Sequence, residues 1–313
     1  MSAIKPLITI ITAVYNGEAY IEETINSVLG AASEISFEYL VIDDGSTDGT
    51  ASILAKFDKK IRVITKNNSG ESASVTLGFQ EALGEFVMVL SADDPLFTPK
   101  IFEKVFEQFL MDENLVAVYP NWRMIGPEGD VLKIIKVPDY SDDLMIGQCK
   151  TLPGPGVIIR KSAALKIGGR RKKWIFVGDY DFWLRLSTVG EIRHRDDVLS
   201  QWRMHPGSTS ISKRGPKMAK ERIAVIEEFT RDFPISRSLK RQALGTAYYM
   251  AARLIFFDSE VKGKRYLVLA YIKRRGLIPE AKISVILYIL LHPLSFWIYK
   301  RFKRFFPEQL PLQ

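Results

Sequence analysis

Two pairs of adjacent carboxylates end apolar runs in the first hundred residues. The run at 39–42 leads into Asp43 and Asp44, and the stretch "EFVMVLSADD" ends in Asp93 and Asp94. A carboxylate at a strand end, followed by a helix N-terminus, can accept hydrogen bonds from a ligand while backbone N–H groups meet its phosphates. For the turn "DDGSTDGT" alone, a helix cap is the simpler interpretation. A second pair, about fifty residues later, favours a binding site instead.

Short β-branched runs alternate with runs of helical periodicity in the same region. The pattern predicts strands at 7–15, 37–43, 61–66 and 85–94, and helices at 18–32, 50–57 and 72–83. Such alternation indicates a parallel sheet with helices on both faces, whose ligands lie at the carboxyl ends of the strands. Tyr15, the pair Asp43 and Asp44, and the pair Asp93 and Asp94 all lie at the carboxyl ends of predicted strands.

Composition limits the class of protein. The chain has 313 residues, of which 47% are hydrophobic and 26% are charged. These fractions are typical of globular proteins. Its net charge of +8 is uneven: residues 231–313 hold 16 Lys and Arg against 5 Asp and Glu, while residues 1–230 hold 28 against 31. This split argues against a uniformly basic nucleic-acid binder. Cys149 is the only cysteine, so no disulfide forms within the chain, which fits a reducing compartment. The first residues resemble a strand rather than a secretory signal.

Several stretches occur in an order that resembles the family 2 glycosyltransferases with the GT-A fold. They are "TAVYNGEAYIEETINSVL", "VIDDGSTDGT", "NNSGESASVTLGFQEALGEFVMVLSADD", "GVIIRKSAALKIGG", "GDYDFWLRL" and "LSQWRMHPGSTS". The resemblance implies an α/β fold: a Rossmann-like, mostly parallel sheet flanked by helices, with a C-terminal helical extension. We expect the GT-A domain at 1–211, its nucleotide-binding half at 1–95, its acceptor half at 96–211, and a basic helical region at 212–313.

The resemblance also implies roles for the first site residues. Tyr15 is expected to lie against the nucleobase, and Asp44 to accept the N–H of a uracil or thymine ring. Asp43 is expected to orient the turn or touch the ribose, and Asp93 to contact ribose or a metal-bound water. Asp94 resembles the acid that binds the divalent ion between the two donor phosphates, for which Mg²⁺ or Mn²⁺ is suited. The alternative is that "SADD" is a solvated loop.

The chain departs from the family pattern at three places. Ser91 stands where many relatives carry another acid, and no arginine-asparagine pair occurs near "SVTLG" (74–78). Relatives commonly have Glu where Gly178 stands. From the first two departures we expect metal affinity and phosphate contacts that differ from the family norm. At Gly178, one neighbour that could tune or support the base is missing.

The stretch "GDYDFWLRL" indicates a helix that packs on the sheet. The resemblance implies that Asp179 is the general base that takes the proton from the acceptor hydroxyl as its oxygen attacks the anomeric carbon. Asp181 is two residues away and points elsewhere on a helix, so we expect it to pair with Arg185. The alternative for Asp179 is a helix cap.

The stretch "QWRMHPGSTS" resembles the family's segment near the diphosphate. His205 is expected to complete the metal shell and Arg203 to offset phosphate charge, although a lone histidine is usually packed or solvated. His194 is expected at the surface. The basic loop "GGRRKKW" (168–174) either meets an anionic acceptor or is simply solvated.

Two amphipathic helices are expected after residue 211, followed by an apolar segment at 281–306. Its uncharged part, 283–299, is short and broken for a spanning helix. Flanking cations and aromatic residues favour a helix in the headgroup layer, whereas a hairpin packed on the core or a homodimer contact is the alternative.

The sequence therefore predicts a metal-dependent, inverting glycosyltransferase on the cytoplasmic face of a bacterial inner membrane. Its donor is expected to be a UDP- or dTDP-linked sugar, and its acceptor a lipid-linked or polysaccharide glycan. A non-catalytic sugar-nucleotide-binding or scaffold protein is the rival hypothesis. A nucleotidylyltransferase is less favoured, because no glycine-rich, arginine-bearing loop opens the chain.

Overall fold

The computed structural model describes residues 5–31, 33–205, 215–255 and 260–274. The chain divides into two compact units: Met1–Tyr140 with Pro153–His205, and Ser141–Leu152 with Pro206–Gln313. The expected boundary at residue 211 lies outside the described residues. Residues 141–152, which the sequence analysis assigned to the first domain, are grouped with the C-terminal helices.

One sheet organises the described part of the first unit. Its strands are β1 (Ile8–Val14), β2 (Phe37–Asp43), β3 (Arg62–Thr65), β4 (Phe86–Val89), β5 (Leu115–Ile125), β6 (Val131–Ile135), β7 (Ile158–Arg160) and β8 (Glu191–Arg203). The order is β3-β2-β1-β4-β7-β5-β6, and β8 also pairs with β5. Strands β3, β2, β1 and β4 are parallel, as is the β5–β8 pair, whereas β7 and β6 run antiparallel to their neighbours.

The helices of this unit pack their apolar residues against the sheet. They are α1 (Ile21–Leu29), α2 (Thr50–Ala55), α3 (Glu71–Glu81), α4 (Lys100–Met111), α5 (Lys161–Lys166) and α6 (Gly178–Leu186). In α1, Ile21, Ile25 and Val28 share one face and are fully buried. Ile10 and Ile11 of β1 point to opposite faces and are both buried, as a strand covered on both sides requires. The predicted alternation of strands and helices is confirmed.

The strand order has a switch point at β1. From β1 the chain continues to β2 and β3 on one side, and β4 then returns to the other side of β1. Ligands of open α/β sheets bind at such a switch point. In the register, Val14 of β1 lies beside Asp43 of β2. Strand β4 ends at Val89, so the acids expected at its end, Asp93 and Asp94, lie in and after the following turn.

The second unit is helical in its described residues. It contains a π-helical turn (Asp143–Gly147) and the helices α7 (Pro216–Asp232), α8 (Arg237–Ile255) and α9 (Glu260–Arg274). The two amphipathic helices expected after residue 211 correspond to α7 and α8. Ala219 and Ile223 of α7 pack with Ala251 and Ile255 of α8 in a small core.

The described helices include none with both the length and the apolar character needed to cross a membrane. Residues 281–306, with their uncharged part 283–299, lie outside the described residues. The expected membrane-surface and homodimer contacts of that segment stay predictions.

Candidate active site

Strands β1 and β2 stop side by side, at the edge of the sheet where the sequence analysis expects the nucleotide. Backbone N–H of Asp44 donates to Val14 O at 2.8 Å, which holds the two strand ends together. Tyr15 follows directly, and its side chain is 51% exposed. A large aromatic ring left open to solvent beside buried carboxylates is available to stack on a planar ligand.

Asp44 is buried and accepts several hydrogen bonds. Backbone N–H groups of Ser69 and Gly70 donate to its Oδ1 and Oδ2 at 2.9 and 2.8 Å, and the Lys66 ammonium also donates to Oδ1. Burial raises the pKa of Asp44, but the bonds from Lys66, Ser69 and Gly70 outweigh burial and leave the pKa below its usual value. Asp44 is therefore a charged group that ties the end of β2 to the loop after β3.

Three of the four lone-pair positions of the Asp44 carboxylate are occupied by these donors. The fourth position, on Oδ2, has no donor among the residues that the structure describes. Neighbouring Asp43 accepts the backbone N–H of Ser46 through Oδ1 at 3.0 Å, as a turn-orienting residue does. Gly45 has a positive φ of 75°, and a Cβ there would stand 3.0 Å from Lys66 O. Only glycine fits the close approach of these two loops.

Asp94 is turned into the protein. Its side chain accepts the backbone N–H of Arg203 at 2.6 Å and a hydrogen bond from the Ser91 hydroxyl, and the residue is 2% exposed. Burial raises the pKa of Asp94 well above its usual value, and the charge of Asp93 adds to the rise. Ser91, at the position where relatives carry an acid, thus supports the neighbouring carboxylate.

Asp93 points the other way and meets His205. The distance from Asp93 Oδ2 to His205 Nε2 is 2.8 Å, and the His205 ring lies 4.9 Å from the Tyr20 ring, centroid to centroid. A carboxylate oxygen is a suitable ligand for Mn²⁺ or Mg²⁺, whereas an imidazole nitrogen suits a transition metal such as Mn²⁺ better than the harder Mg²⁺. Among the described residues no group of three or more His, Cys, Asp or Glu is arranged to hold a metal. The pair fits an ion that takes its remaining ligands from donor phosphates and water.

Arg203 is fully buried and already occupied. Its guanidinium donates to Asp93 O at 2.9 Å, to Pro127 O and to Glu23 Oε2 at 2.7 Å. It also lies over the Tyr20 ring, 5.0 Å from the centroid. This placement differs from the phosphate contact that the resemblance implies, because the cation is directed at the backbone of the Asp93 turn.

The two acids of α6 occupy different environments. Asp179 is exposed in the first turn of the helix, and its Oδ1 accepts the backbone N–H of Tyr180 at 2.7 Å. Asp181 is 1% exposed and accepts from Arg185 Nε and Nη2 at 2.9 and 2.8 Å. The predicted pairing of Asp181 with Arg185 is confirmed. Arg171 donates to the same carboxylate, a partner that the sequence analysis did not name.

Other contacts also escaped the sequence analysis. Glu23 and Lys66 brace the two carboxylate turns from distant positions, and no local spacing identifies such pairs. His194 was expected at the surface, and this expectation is wrong: its ring contacts Asp139 Oδ1 at 2.9 Å and Asn121 Oδ1 at 3.0 Å, and its side chain is 7% exposed. It lies on β8 opposite Tyr119 of β5, whose ring packs against the imidazole with 5.2 Å between the ring centroids.

Residues 9–159 match the model of the family described as Glycosyl transferase family 2. The chain belongs to this family, because an uncharacterized glycosyltransferase of Rickettsia typhi (strain ATCC VR-144 / Wilmington) is also 30% identical to it over 219 residues, 66% of each chain. The matched range includes the Asp43–Asp44 and Asp93–Asp94 turns and ends before Asp179. In this family 2 glycosyltransferase, the family match therefore does not extend to the acids of α6 or to the Arg203–His205 segment. Their interpretation depends on the contacts described above.

Curated relatives span most of the chain. An uncharacterized glycosyltransferase of Rickettsia prowazekii (strain Madrid E) is 28% identical over 290 residues, covering 84% of this chain and 88% of the relative. The hyaluronan synthase of Pasteurella multocida is 27% identical over 266 residues, covering 84% of this chain but 25% of that longer protein. The chain also spans about half of a Rickettsia felis glycosyltransferase, 48% of its length.

Solved structures share the architecture. Residues 1–349 of Staphylococcus aureus TarS, in complex with UDP-GlcNAc, superpose with a TM-score of 0.65 at 16% identity, covering 85% of this chain and 81% of that one. The mannosyltransferase PcManGT of Pyrobaculum calidifontis, in complex with GDP-Man and Mn²⁺, gives a TM-score of 0.58 at 13% identity, covering 97% and 84%. At these identities the likeness shows the fold, and the predicted GT-A class is confirmed.

Proposed function

We propose that this glycosyltransferase transfers a sugar from a UDP- or dTDP-linked donor to a hydroxyl of a glycan or lipid-linked acceptor, with inversion, in surface polysaccharide synthesis. The observation that carries the proposal is the contrast between two sets of carboxylates. Asp44, Asp94 and Asp181 are buried and are held by hydrogen bonds within the protein, whereas the Asp93 side chain is partly exposed and Asp179 is exposed. Named relatives, among them the hyaluronan synthase, support the polysaccharide context.

Donor recognition begins at the ends of β1 and β2. Tyr15 supplies the stacking face, and the open position on Asp44 Oδ2 accepts the ring N–H of uracil or thymine. Asn in place of Asp44 keeps the side-chain shape but replaces one hydrogen-bond-accepting oxygen with an NH₂ group that donates. Asp44→Asn should weaken UDP binding by about 1–3 kcal/mol, the cost of an unmet buried polar group. Calorimetry with UDP, dTDP and GDP checks this, and tight GDP binding with UDP ignored would contradict the pyrimidine assignment.

We assign the divalent ion to Asp93 and His205, in place of Asp94. Both side chains are partly exposed, 28% and 14%, and their ligand atoms meet at 2.8 Å, whereas Asp94 is committed to Arg203 and Ser91. A bound Mn²⁺ or Mg²⁺ would offset the charge that develops on the departing diphosphate. The chain contributes the Arg203 guanidinium, which fixes the turn that carries Asp93.

Asp179 is proposed as the general base. As the acceptor oxygen attacks the anomeric carbon, a new C–O bond forms and the bond from that carbon to the diphosphate oxygen breaks. The hydroxyl proton passes to the Asp179 carboxylate, and the nucleoside diphosphate leaves on the opposite face, so the configuration inverts. The exposed position of Asp179 in the first turn of α6 leaves it reachable by a hydroxyl.

Two variants test the assignment of base and metal ligands. Asp179→Asn should retain UDP affinity while transfer, and hydrolysis of the donor, falls by about 10²-fold or more. Asp93→Asn should instead lose the Mn²⁺-dependent part of UDP affinity. Calorimetry and a coupled assay for released UDP measure both effects. Full turnover by Asp179→Asn would refute its role as the base.

A non-catalytic sugar-nucleotide-binding protein of this fold is the second candidate. Gly178 favours it, because relatives commonly have Glu there and a Cβ at this position would stand 2.8 Å from Ser72 Oγ. The site therefore has no room for a second acid beside Asp179 without a shift of Ser72. UDP-sugar binding without any release of UDP, under conditions that support metal binding, would favour this candidate.

A further inference from the structure

One guanidinium near the end of β5 is fixed from two sides. Arg123 Nε donates to Gln201 Oε1 of β8 at 2.9 Å. The guanidinium carbon also lies over the Phe97 ring, 3.8 Å from its centroid. The Gln201 amide in turn donates to Pro95 O at 2.8 Å. The plane and the direction of the Arg123 guanidinium are therefore set by the protein before any ligand binds.

The positive charge of Arg123 is not paired with a carboxylate in the part of the chain that the structure describes. Its Nε donates to a neutral amide, and the Phe97 ring attracts the cation only through the ring quadrupole. Burial alone lowers the pKa of Arg123. Arg160 differs, because it also lies over an aromatic ring, that of Phe86, but pairs with Glu85 at 3.0 Å. A bound anion would supply the countercharge that Arg123 lacks among the described residues.

The terminal nitrogens of Arg123 remain accessible to a ligand. Neither Nη1 nor Nη2 donates a hydrogen bond to any residue that the structure describes. Neither is among the buried side-chain nitrogens that lack a partner, and the residue is partly exposed, so both nitrogens keep contact with solvent. The N–H groups of a guanidinium lie in one plane and match the spacing of two oxygens of a carboxylate or a phosphate. The free edge of Arg123 can therefore bind one oxyanion through two hydrogen bonds.

Arg123 lies near the proposed metal site but away from the proposed nucleotide contacts. In the register of β5 and β8 it lies beside Gln201. Two residues later, about 6.6 Å along β8, the backbone N–H of Arg203 holds Asp94. Strand β5 lies beyond β4 and β7, whereas β1 and β2 lie on the other side of β4. Across β5, the exposed Ile134 of β6 is the register partner of Arg123 and offers an apolar contact for a sugar ring. This place suits an acceptor better than a nucleotide.

We propose that Arg123 forms an acceptor subsite for an oxyanion, either the carboxylate of an acidic sugar or a phosphate group. The Nη groups of Arg123 bind the oxyanion, Phe97 and Gln201 fix the guanidinium, and Ile134 contacts the adjoining sugar ring. This inference rests on the proposed transfer of sugar to a glycan or lipid-linked acceptor. It narrows that acceptor to one that carries negative charge.

Ligand-observed NMR titrations on the full chain with UDP and Mn²⁺ test the subsite. The probes are methyl β-glucuronide, methyl glucoside 6-phosphate and neutral methyl β-glucoside. Arg123→Gln should bind the preferred anionic probe about tenfold more weakly, as expected for a lost hydrogen bond between charged groups, and the neutral probe as the parent does. Arg160→Gln is the matched control, because it removes the same charge from a stacked guanidinium that already pairs with Glu85. It should bind like the parent.

Arg123→Lys separates the shape of the guanidinium from its charge. It keeps the charge but cannot hold two oxygens in one plane, so its affinity should lie between those of the parent and Arg123→Gln. Circular dichroism checks the fold of every variant, and calorimetry checks that UDP affinity is unchanged. Preference for the glucuronide or for the phosphate identifies the source of the anion, and either supports the subsite.

Three results would overturn the subsite while leaving the proposed function intact. They are equal binding of neutral and anionic probes by the parent, equal losses in Arg123→Gln and Arg160→Gln, and a loss in Arg123→Gln that is confined to UDP. A parent that binds no UDP would overturn the proposed function and the subsite together.

Discussion

Replacing Asp181 with Asn should damage the fold far more than the chemistry. The carboxylate is 1% exposed and pairs with Arg185, whose side chain is 8% exposed, and with Arg171. Burial lowers the pKa of Arg185, while Asp181 opposes that shift by stabilising the cation. Asn keeps a hydrogen-bonding oxygen but removes the countercharge of a buried guanidinium. Breaking a buried pair in this way costs about 3–5 kcal/mol.

The loss is large enough to measure without an acceptor substrate. For a unit of this size, 1 kcal/mol corresponds to about 2–4 °C in Tm, so Asp181→Asn should melt roughly 6–20 °C below the parent. Urea unfolding followed by circular dichroism gives the free energy directly. The variant should still bind UDP below its own melting range, because the Asp181 carboxylate pairs with Arg171 and Arg185 and not with a residue proposed to contact the donor.

Asp179→Asn is the matched control, two residues away in the same helix. Asp179 is exposed, so the change should leave the free energy of unfolding within about 0.5 kcal/mol of the parent. Transfer should fall by about 10²-fold or more. If Asp181→Asn unfolds within 1 kcal/mol of the parent and Asp179→Asn is the less stable one, the division between a structural and a catalytic acid is refuted.

Three further outcomes follow from the carboxylate turns. Because the pKa of Asp44 is lowered in the folded state, its stabilising effect is complete above its unfolded pKa of about 4 and is lost as pH falls toward the folded value. Urea unfolding at pH 6 and pH 3.5 should therefore show a larger loss for the parent than for Asp44→Asn, and equal losses would contradict this. His205→Ala should weaken Mn²⁺-dependent UDP binding by about tenfold or more, whereas Asp94→Asn should mainly lower Tm. Glu23→Gln, which weakens the ion pair with Arg203, should lower the Mn²⁺ affinity measured by calorimetry about tenfold. Unchanged affinity would contradict a role for Arg203 in positioning the metal ligands.

The periodicity of the sequence was enough to predict the order of the first strands and helices. β-branched runs buried on both faces and the amphipathic face of α1 are local signals, and the structure confirms them. The element ends were less predictable, since β4 stops at Val89 and the acids that follow lie beyond the strand. Residues 141–152 carry no local signal for the second unit. Their contacts are with distant α8, where Gln242 donates to Asp143 Oδ1 at 2.6 Å and Thr246 to Gly147 O at 2.8 Å.

The roles within each acid pair were predicted from the family resemblance alone, because both members have the same residue type and stand side by side. What separates them is the direction of each side chain relative to a distant strand. Strand β8 ends at Arg203, whose backbone N–H donates to Asp94 Oδ1. Two residues later, His205 Nε2 contacts Asp93 Oδ2. The end of β8 therefore buries the Asp94 carboxylate and provides the Asp93 carboxylate with its histidine partner. Because Arg203 also holds Asp93 O and Glu23, the position of the exposed acid depends on a cation that never needs to touch the donor.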